Sequence, residues 1–154
     1  MTIAHFGIVV FAVGVLMVSY FSTEVSEKMG PGVSVQLDDL TIHYRETMWR
    51  VGPNFTAEQA KLEVIDSENT SLILTPERRH YPVRVMNMSE PAIKGQWFRD
   101  IYITMGEKIG KDRYAVRIQN RAFIAWLWLG SILMMIGGLL AIINRAIAHR
   151  NKSE

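Results

Sequence analysis

Two long apolar stretches restrict the structures that this chain can form. The first covers residues 2–22 and the second residues 122–144, and neither contains Asp, Glu, Lys or Arg. A helix of about 20 residues is ~30 Å long, which matches the hydrocarbon core of a bilayer. Because a segment in lipid must pair its backbone groups internally, each stretch predicts a transmembrane α-helix.

A cleavable signal peptide is the alternative interpretation of the first stretch. Such a peptide begins with basic residues, has a short apolar core and ends at a pair of small residues. The first six residues here contain no Lys or Arg, and the sequence VSYFS at 18–22 lacks the small-residue pattern. The sequence therefore favours a retained helix.

Residues 23–121 have an ordinary soluble composition and are numerous enough for one small hydrophobic core. Apolar and polar residues alternate in several segments, among them 33–37, 40–46, 60–66, 99–105 and 113–118. A period of two predicts strands, and about six closely spaced strands predict a small antiparallel barrel or sandwich. We interpret ERRHY at 77–81, between two prolines, as an exposed loop, and we expect Trp97 to cover the core.

Positive charge after the second stretch predicts the orientation of the chain. Arg145, Arg150 and Lys152 follow this stretch, and cytoplasmic segments are enriched in Lys and Arg. Two arginines on the opposite flank weaken the asymmetry. We expect residues 145–154 to form a cytoplasmic tail, and residues 23–121 to form an extracytoplasmic domain, because two helices return the chain to the same side.

Composition and motifs exclude several classes of function. The chain has no cysteine, so it offers no disulfide framework and no thiolate ligand for a metal. The net charge is +2 with both signs interspersed, which argues against a nucleic-acid partner. Phosphate-binding glycine loops, HExxH and GxSxG are all absent from the sequence.

His5 is an imidazole inside an otherwise apolar stretch. Ionisable groups within a membrane span are costly and indicate function by default, and a neutral imidazole can ligate haem iron. At helical spacing His5 shares its face with Ile8, Val9 and Ala12, an apolar surface that a porphyrin tolerates. The position, one turn from the predicted helix start, also fits a residue in the headgroup zone, and the residues alone favour this interfacial interpretation. A six-coordinate haem would need its second axial ligand from another segment or subunit.

The other histidines and the paired tryptophans have simpler interpretations. His43 falls on the polar side of a predicted strand, His80 in a charged loop and His149 in the basic tail, so we expect surface or interfacial positions. Trp126 and Trp128 lie at the start of the second stretch, where aromatic residues anchor helices at the membrane surface.

Glycines predict that the two helices pack closely. Gly130 and Gly137 are one heptad apart in the second stretch, and the first contains Ala4, Gly7 and Gly14. Small residues let the backbones of two helices approach each other in a membrane.

Several stretches, in one order, resemble the C-terminal quarter of the CcmF and NrfE proteins, the large membrane subunits of cytochrome c haem lyases. They are AHFG, GPGVSVQL, GPNFTAEQAKLEV, LTPERRHYPV, MSEPAIKGQWFRDIYITMGE, YAVRIQN and WLWLGSILMMIGGLLAI. The resemblance covers essentially all 154 residues and rests on the order and spacing of these stretches.

The resemblance implies a haem-dependent function. The family joins haem covalently to apocytochromes on the outer face of the membrane, and it carries a b-type haem held by histidines on two different helices. The AHFG match places His5 on one of these axial ligands, and the second ligand would lie upstream. The histidines that flank the family's tryptophan-rich haem loop also lie upstream, so His43 and His80 are not assigned to them.

We therefore expect the C-terminal segment of a CcmF-like subunit in the bacterial inner membrane, with its β-domain in the periplasm. It would help to hold haem b and to assemble the lyase, without being catalytic alone. The implied partners are the remainder of CcmF or a split-lyase partner, CcmH/CcmI-type subunits, the haem chaperone CcmE, apocytochrome c and membrane lipid. The alternative is a cofactor-free, membrane-anchored periplasmic scaffold for envelope complexes.

Overall fold

The computed structural model describes residues 2–96 and 98–150. Helix α1 at Thr2–Phe21 and helix α2 at Ile124–Arg150 stand on either side of an all-β region in the chain. This arrangement confirms the predicted fold class. Trp97, which we expected to cover the core, lies outside the described residues, as do residues 151–154 of the predicted tail.

The β-domain contains ten strands within the described residues, arranged in two sheets. They are β1 Thr23–Met29, β2 Ser34–Leu37, β3 Leu40–Val51, β4 Thr56–Ile65, β5 Ser71–Leu74, β6 Glu77–Tyr81, β7 Met86–Glu90, β8 Ala92–Gly95, β9 Arg99–Lys108 and β10 Tyr114–Ala122. The first sheet has the order β1-β10-β9-β8, and the second has the order β2-β3-β4-β6-β7 with β5 also paired to β4.

The core of the β-domain follows the alternation seen in the sequence. Every second residue of β10 is buried, as is every second residue in most of β4. Among the largest fully buried side chains are Tyr44, Met29, Leu62, Ile103 and Ile118. Each such side chain contributes about 1.5–3 kcal/mol through removal of apolar surface from water, so the two sheets are held together mainly by this cluster.

The loop predicted at 77–81 is wrong, because these residues form strand β6. The flanking prolines lie outside the strand and so do not interrupt its hydrogen-bond ladder. The carbonyl oxygen of Pro76 even accepts a hydrogen bond of 3.0 Å from the backbone nitrogen of Ala60. The charges that suggested a loop are paired: Glu77 binds Arg79 from the same strand and Arg50 from β3.

The turn between β6 and β7 contains a strained residue. Residues 82–85 form this turn, and Val85 has a φ of 48° with 83% of its surface exposed. A left-handed backbone costs an L-amino acid about 1–2 kcal/mol, and a β-branched side chain is particularly unfavourable there. Exposure means that the Val85 side chain has little packing in the described chain to offset this cost.

Replacing Val85 with glycine is expected to stabilise the β-domain by about 1 kcal/mol. Glycine accepts positive φ without strain, and the gain exceeds the added flexibility of the unfolded chain. Val83 provides a matched control, since it is 90% exposed in the same turn and is not among the positive-φ residues. Val83→Gly should lower the urea concentration at the unfolding midpoint. If Val85→Gly lowered this midpoint as well, the claim that the Val85 backbone is strained would be wrong.

Candidate functional site

Helices α1 and α2 pack antiparallel through small residues. A Cβ atom added to Gly137 would lie 2.4 Å from the nitrogen of Ala4, and one added to Gly130 would lie 2.6 Å from the nitrogen of Phe11. A Cβ on Gly7 would similarly lie 2.7 Å from the nitrogen of Met134. The backbones therefore touch along a seam whose residues recur every three and four positions on both helices, as the glycine spacing predicted.

His5 lies on the side of α1 that faces away from this seam. Its side chain is exposed one turn after the helix start. At 100° per residue, His5, Val9 and Ala12 fall roughly opposite the seam, and all three are exposed. The helical pair therefore presents an imidazole within an apolar surface that α2 does not cover.

Both helices are long and apolar enough to cross a membrane. The spans are Thr2–Phe21 and Ile124–Arg145, and each has a mean hydropathy of 2.2. Trp126 and Trp128 lie in the first turns of α2 and are 39% and 68% exposed. Apolar side chains are exposed on both helices. Such exposed apolar surfaces are typical of helices that contact lipid or further helices.

Glu77 is a buried carboxylate of the β-domain with three side-chain donors. It accepts hydrogen bonds from Arg50 Nη1 at 2.8 Å, Gln59 Nε2 at 2.6 Å and Arg79 Nε at 2.9 Å. Burial alone would raise the pKa of Glu77, but the bonds from Arg79 and Arg50 outweigh burial and hold the pKa below its usual value. The guanidinium of Arg79 also lies over the ring of Phe55, 4.6 Å from its centroid.

Glu58 is a second buried carboxylate and joins the two sheets. The hydroxyl of Tyr114 in β10 donates to Glu58 Oε1 at 3.0 Å, and Arg78 Nη1 lies 3.3 Å from Oε2. Burial and the adjacent carboxylate raise the pKa of the Tyr114 phenol well above its usual value, so Tyr114 remains a donor at neutral pH. A cleft of about 250 Å³ lies beside this pair. It is lined by six residues, among them Trp49, Glu58, Arg78 and His80.

The structure places His43 and His80 on the β-domain and gives each a local partner. His43 Nδ1 lies 2.6 Å from Ser34 Oγ, and His80 Nδ1 lies 2.8 Å from Asn87 Oδ1. In the described part of the chain, no three His, Cys, Asp or Glu residues group as metal ligands would. His43 and His80 thus form no ligand cluster there.

Asp38 forms a contact that sequence analysis did not anticipate. Its carboxylate accepts hydrogen bonds from Thr23 Oγ1, at the start of β1, and from Asn120 Nδ2 near the end of β10, the latter at 3.1 Å. Thr23 and Asn120 are far apart in sequence and lie opposite each other in the β1–β10 pairing, and Asp38 reaches both from the turn between β2 and β3. Asp38 thus links the two strands that lead into and out of the domain.

Comparison with known proteins gives consistent matches. The family model for the CcmF C-terminal beta-sandwich matches residues 20–122. The chain is 38% identical over 142 residues to the cytochrome c-type biogenesis protein NrfE of Haemophilus influenzae, covering 92% of this chain and 22% of that protein. It is 35% identical over 154 residues to the cytochrome c-type biogenesis protein CcmF of Pseudomonas fluorescens, covering 100% of this chain and 23% of that protein.

A solved structure also shares the fold. The cytochrome c haem lyase CcmF aligns with a TM-score of 0.71 at 12% identity, over 89% of this chain and 23% of that one. At this identity the likeness shows the fold alone. Together the matches confirm the resemblance found in the sequence, and the chain spans less than a quarter of the length of these relatives.

Proposed function

Because the chain belongs to the family of CcmF C-terminal β-sandwich domains, we propose that it works as the C-terminal part of a cytochrome c haem lyase subunit. Its relatives are named for cytochrome c biogenesis and are more than four times as long as the matched region. The attachment of haem to apocytochrome c is therefore an activity of a larger assembly, to which this chain contributes two helices and a β-domain.

We further propose that His5 is an axial ligand of a b-type haem in the membrane. The observation that carries this proposal is the position of His5 on the open side of α1, among exposed apolar residues. A neutral imidazole provides a nitrogen lone pair for iron, and an apolar helix face accommodates a flat macrocycle. The described residues fit such a group, with the second ligand coming from a helix outside this chain.

The contribution of this chain to haem chemistry is ligation and orientation. Haem b supplies one-electron transfer when bound, and the protein sets its environment. The close backbone contacts at Gly7, Gly130 and Gly137 hold α1 against α2 in one rotation, because a Cβ at any of these positions would overlap the other helix. In this rotation His5 is exposed on the side of α1 opposite the seam, where we propose that it meets the haem.

The proposed topology places both helices in the bacterial inner membrane. We assign residues 2–22 and 122–144 to the spans, residues 23–121 to a periplasmic domain and residues 145–154 to a cytoplasmic tail. The support is the length and hydropathy of the helices together with Arg145, Arg150 and Lys152 after the second span. The proposed partners are the rest of the CcmF-like subunit, CcmH/CcmI-type subunits, CcmE, apocytochrome c and lipid.

The test is a reduced-minus-oxidised visible spectrum of the complete lyase complex carrying His5→Gly. We expect the b-type band to be lost, because the substitution removes one axial ligand. Free imidazole should restore part of the band by occupying the space of the missing ring. His43→Gly and His80→Gly are matched controls on the β-domain and should retain the full band.

An undiminished band in the His5→Gly complex would rule out ligation by His5. Absence of a b-type band from every sample, with the complex shown intact by size-exclusion chromatography, would instead favour the cofactor-free scaffold. Loss of the complex itself would be recognised in the same chromatogram, and imidazole rescue separates lost ligation from lost folding.

A further inference from the structure

Strand β7 has an open edge. It pairs with β6 on one side, from Glu77↔Glu90 to Tyr81↔Met86, and the order of the second sheet ends at β7. Among the described residues, no further backbone hydrogen bond reaches β7 from a turn or loop. Four of its five residues are exposed. An edge strand of this kind presents unpaired N–H and C=O groups that match another extended chain.

The other edge strands have features that discourage pairing. β1 carries Glu24, Glu27 and Lys28, and β8 carries Lys94. Charged residues, and lysine above all, are the usual protection of sheet edges. β2 and β5 have only four residues each. The only charged residue of β7 is Glu90, and its carboxylate is paired with Arg79 Nη1 at 3.3 Å.

We propose that the β7 edge binds an extended segment of a partner polypeptide, which adds to the second sheet as a strand beside β7. Main-chain hydrogen bonds would provide the affinity, as in other cases of strand addition. The proposal does not depend on haem at His5, and the site lies wholly within the β-domain.

The side chains of β7 define the sequence pattern of this segment. Met86 and Met88 point to one face of the sheet and are 38% and 45% exposed, whereas Asn87 and Ser89 point to the other face. Asn87 bonds His80, and the hydroxyl of Ser89 donates to the carbonyl oxygen of Met105 at 2.7 Å. A strand opposite β7 would therefore place apolar residues beside the methionines and polar residues at alternate positions.

The turn before β7 adds a charge requirement. Arg84 lies between the exposed Val83 and Val85, and in the described part of the chain it forms no ion pair. A carboxylate at the corresponding end of the bound segment would pair with this guanidinium. The strained backbone of Val85 fits the same role, since strain of this kind concentrates at binding and active sites.

The test uses the full chain in detergent micelles and a fluorescein-labelled peptide, Ser-Glu-Val-Thr-Val-Thr-Val-Ser, titrated by fluorescence anisotropy. Met88→Lys introduces the charge that protects other edges, and should weaken binding about tenfold. Ile93→Lys is the matched control, because Ile93 is 52% exposed on the edge strand β8. It should leave the affinity unchanged.

Two further comparisons test the mode of binding. Two peptides, each with N-methyl groups at one of the two sets of alternate amides, test the ladder. Because only one set of amides faces β7, one peptide should lose binding and the other should retain it. Arg84→Glu should weaken binding of the Glu-containing peptide. The loss of affinity should be at least fivefold greater than for the same peptide with Gln in place of Glu. Equal binding of the two methylated peptides, or an equal loss of affinity with Ile93→Lys and Met88→Lys, would overturn the proposal. The proposal would also be overturned if the peptide did not bind and sedimentation showed a dimer of this chain that forms through the β7 edge.

Discussion

Replacing Gly137 with leucine is expected to separate α1 from α2. The Cβ of any side chain at this position would lie 2.4 Å from the nitrogen of Ala4 and 2.8 Å from its Cα. Both atoms belong to a helix backbone that cannot yield locally, so the helices must move apart along their seam. Overpacking of this kind costs about 3 kcal/mol, and it also removes the close contacts that hold helices together in lipid.

Gly138 is the control for this prediction, because a Cβ added there meets no atom within 4 Å. The chain has no cysteine, so Thr2→Cys and Asn144→Cys provide two unique, exposed labelling sites at the same end of the helical pair. Energy transfer between the labels should be lost at a lower SDS fraction in Gly137→Leu than in Gly138→Leu. If both variants lost energy transfer at the same SDS fraction, a close helix contact at Gly137 would be ruled out.

Glu77→Ala is expected to destabilise the β-domain by about 3 kcal/mol. The side chain is 5% exposed, and its removal takes from Gln59 and Arg50 their acceptor and from Arg79 the closer of its two carboxylate partners. Breaking a buried pair from one side costs about 3–5 kcal/mol, and partial exposure of both arginines places this site at the lower end. Urea unfolding, followed by tryptophan fluorescence, measures the loss directly.

Glu46→Ala is the matched control in the same sheet. Glu46 and its partner Lys61 are 51% and 37% exposed, so their ion pair contributes no more than about 0.5 kcal/mol. If Glu46→Ala and Glu77→Ala shifted the urea midpoint equally, the buried position of Glu77 would have no energetic consequence.

The lowered pKa of Glu77 also predicts a pH dependence. Its carboxylate has a pKa below the usual value of 4.5 in the folded state, so it contributes stability above pH 4.5. This contribution is lost as the pH falls through the folded pKa. The free energy of unfolding should therefore decrease more steeply in acid for the native chain than for Glu77→Gln. The pKa of Glu24 is lowered by Arg117 and Gln119, so Glu24 contributes the same pH dependence of unfolding in both proteins.

The helices and the central strands could be predicted because their patterns are local. An apolar run of bilayer length has few alternative structures, and β10 alternates along its whole length. The spacing of Gly130 and Gly137 likewise indicated a close helix contact. The side of α1 that carries His5 followed from helical periodicity, but its orientation relative to α2 required the three-dimensional seam.

The ion pairs of the β-domain could not be predicted in this way. Glu77 is bonded to residues 18 and 27 positions away, and Glu58 to a tyrosine 56 positions away. These partners meet only because of strand order, so charges that form a buried network look in sequence like those of a solvated loop. For the same reason, the sequence ERRHY suggested a loop although it forms strand β6.

The pairing of β1 with β10 also determines how the β-domain would respond to mechanical force. Thr23 lies directly opposite Asn120, so the polypeptide enters and leaves the domain through neighbouring rungs of one antiparallel ladder. Tension applied between the two helices would act on one end of this ladder. The hydrogen bonds would then break one after another from that end, and not all at once as they would under shear. Asp38, bonded to both Thr23 and Asn120, is the first link that such a load would have to break.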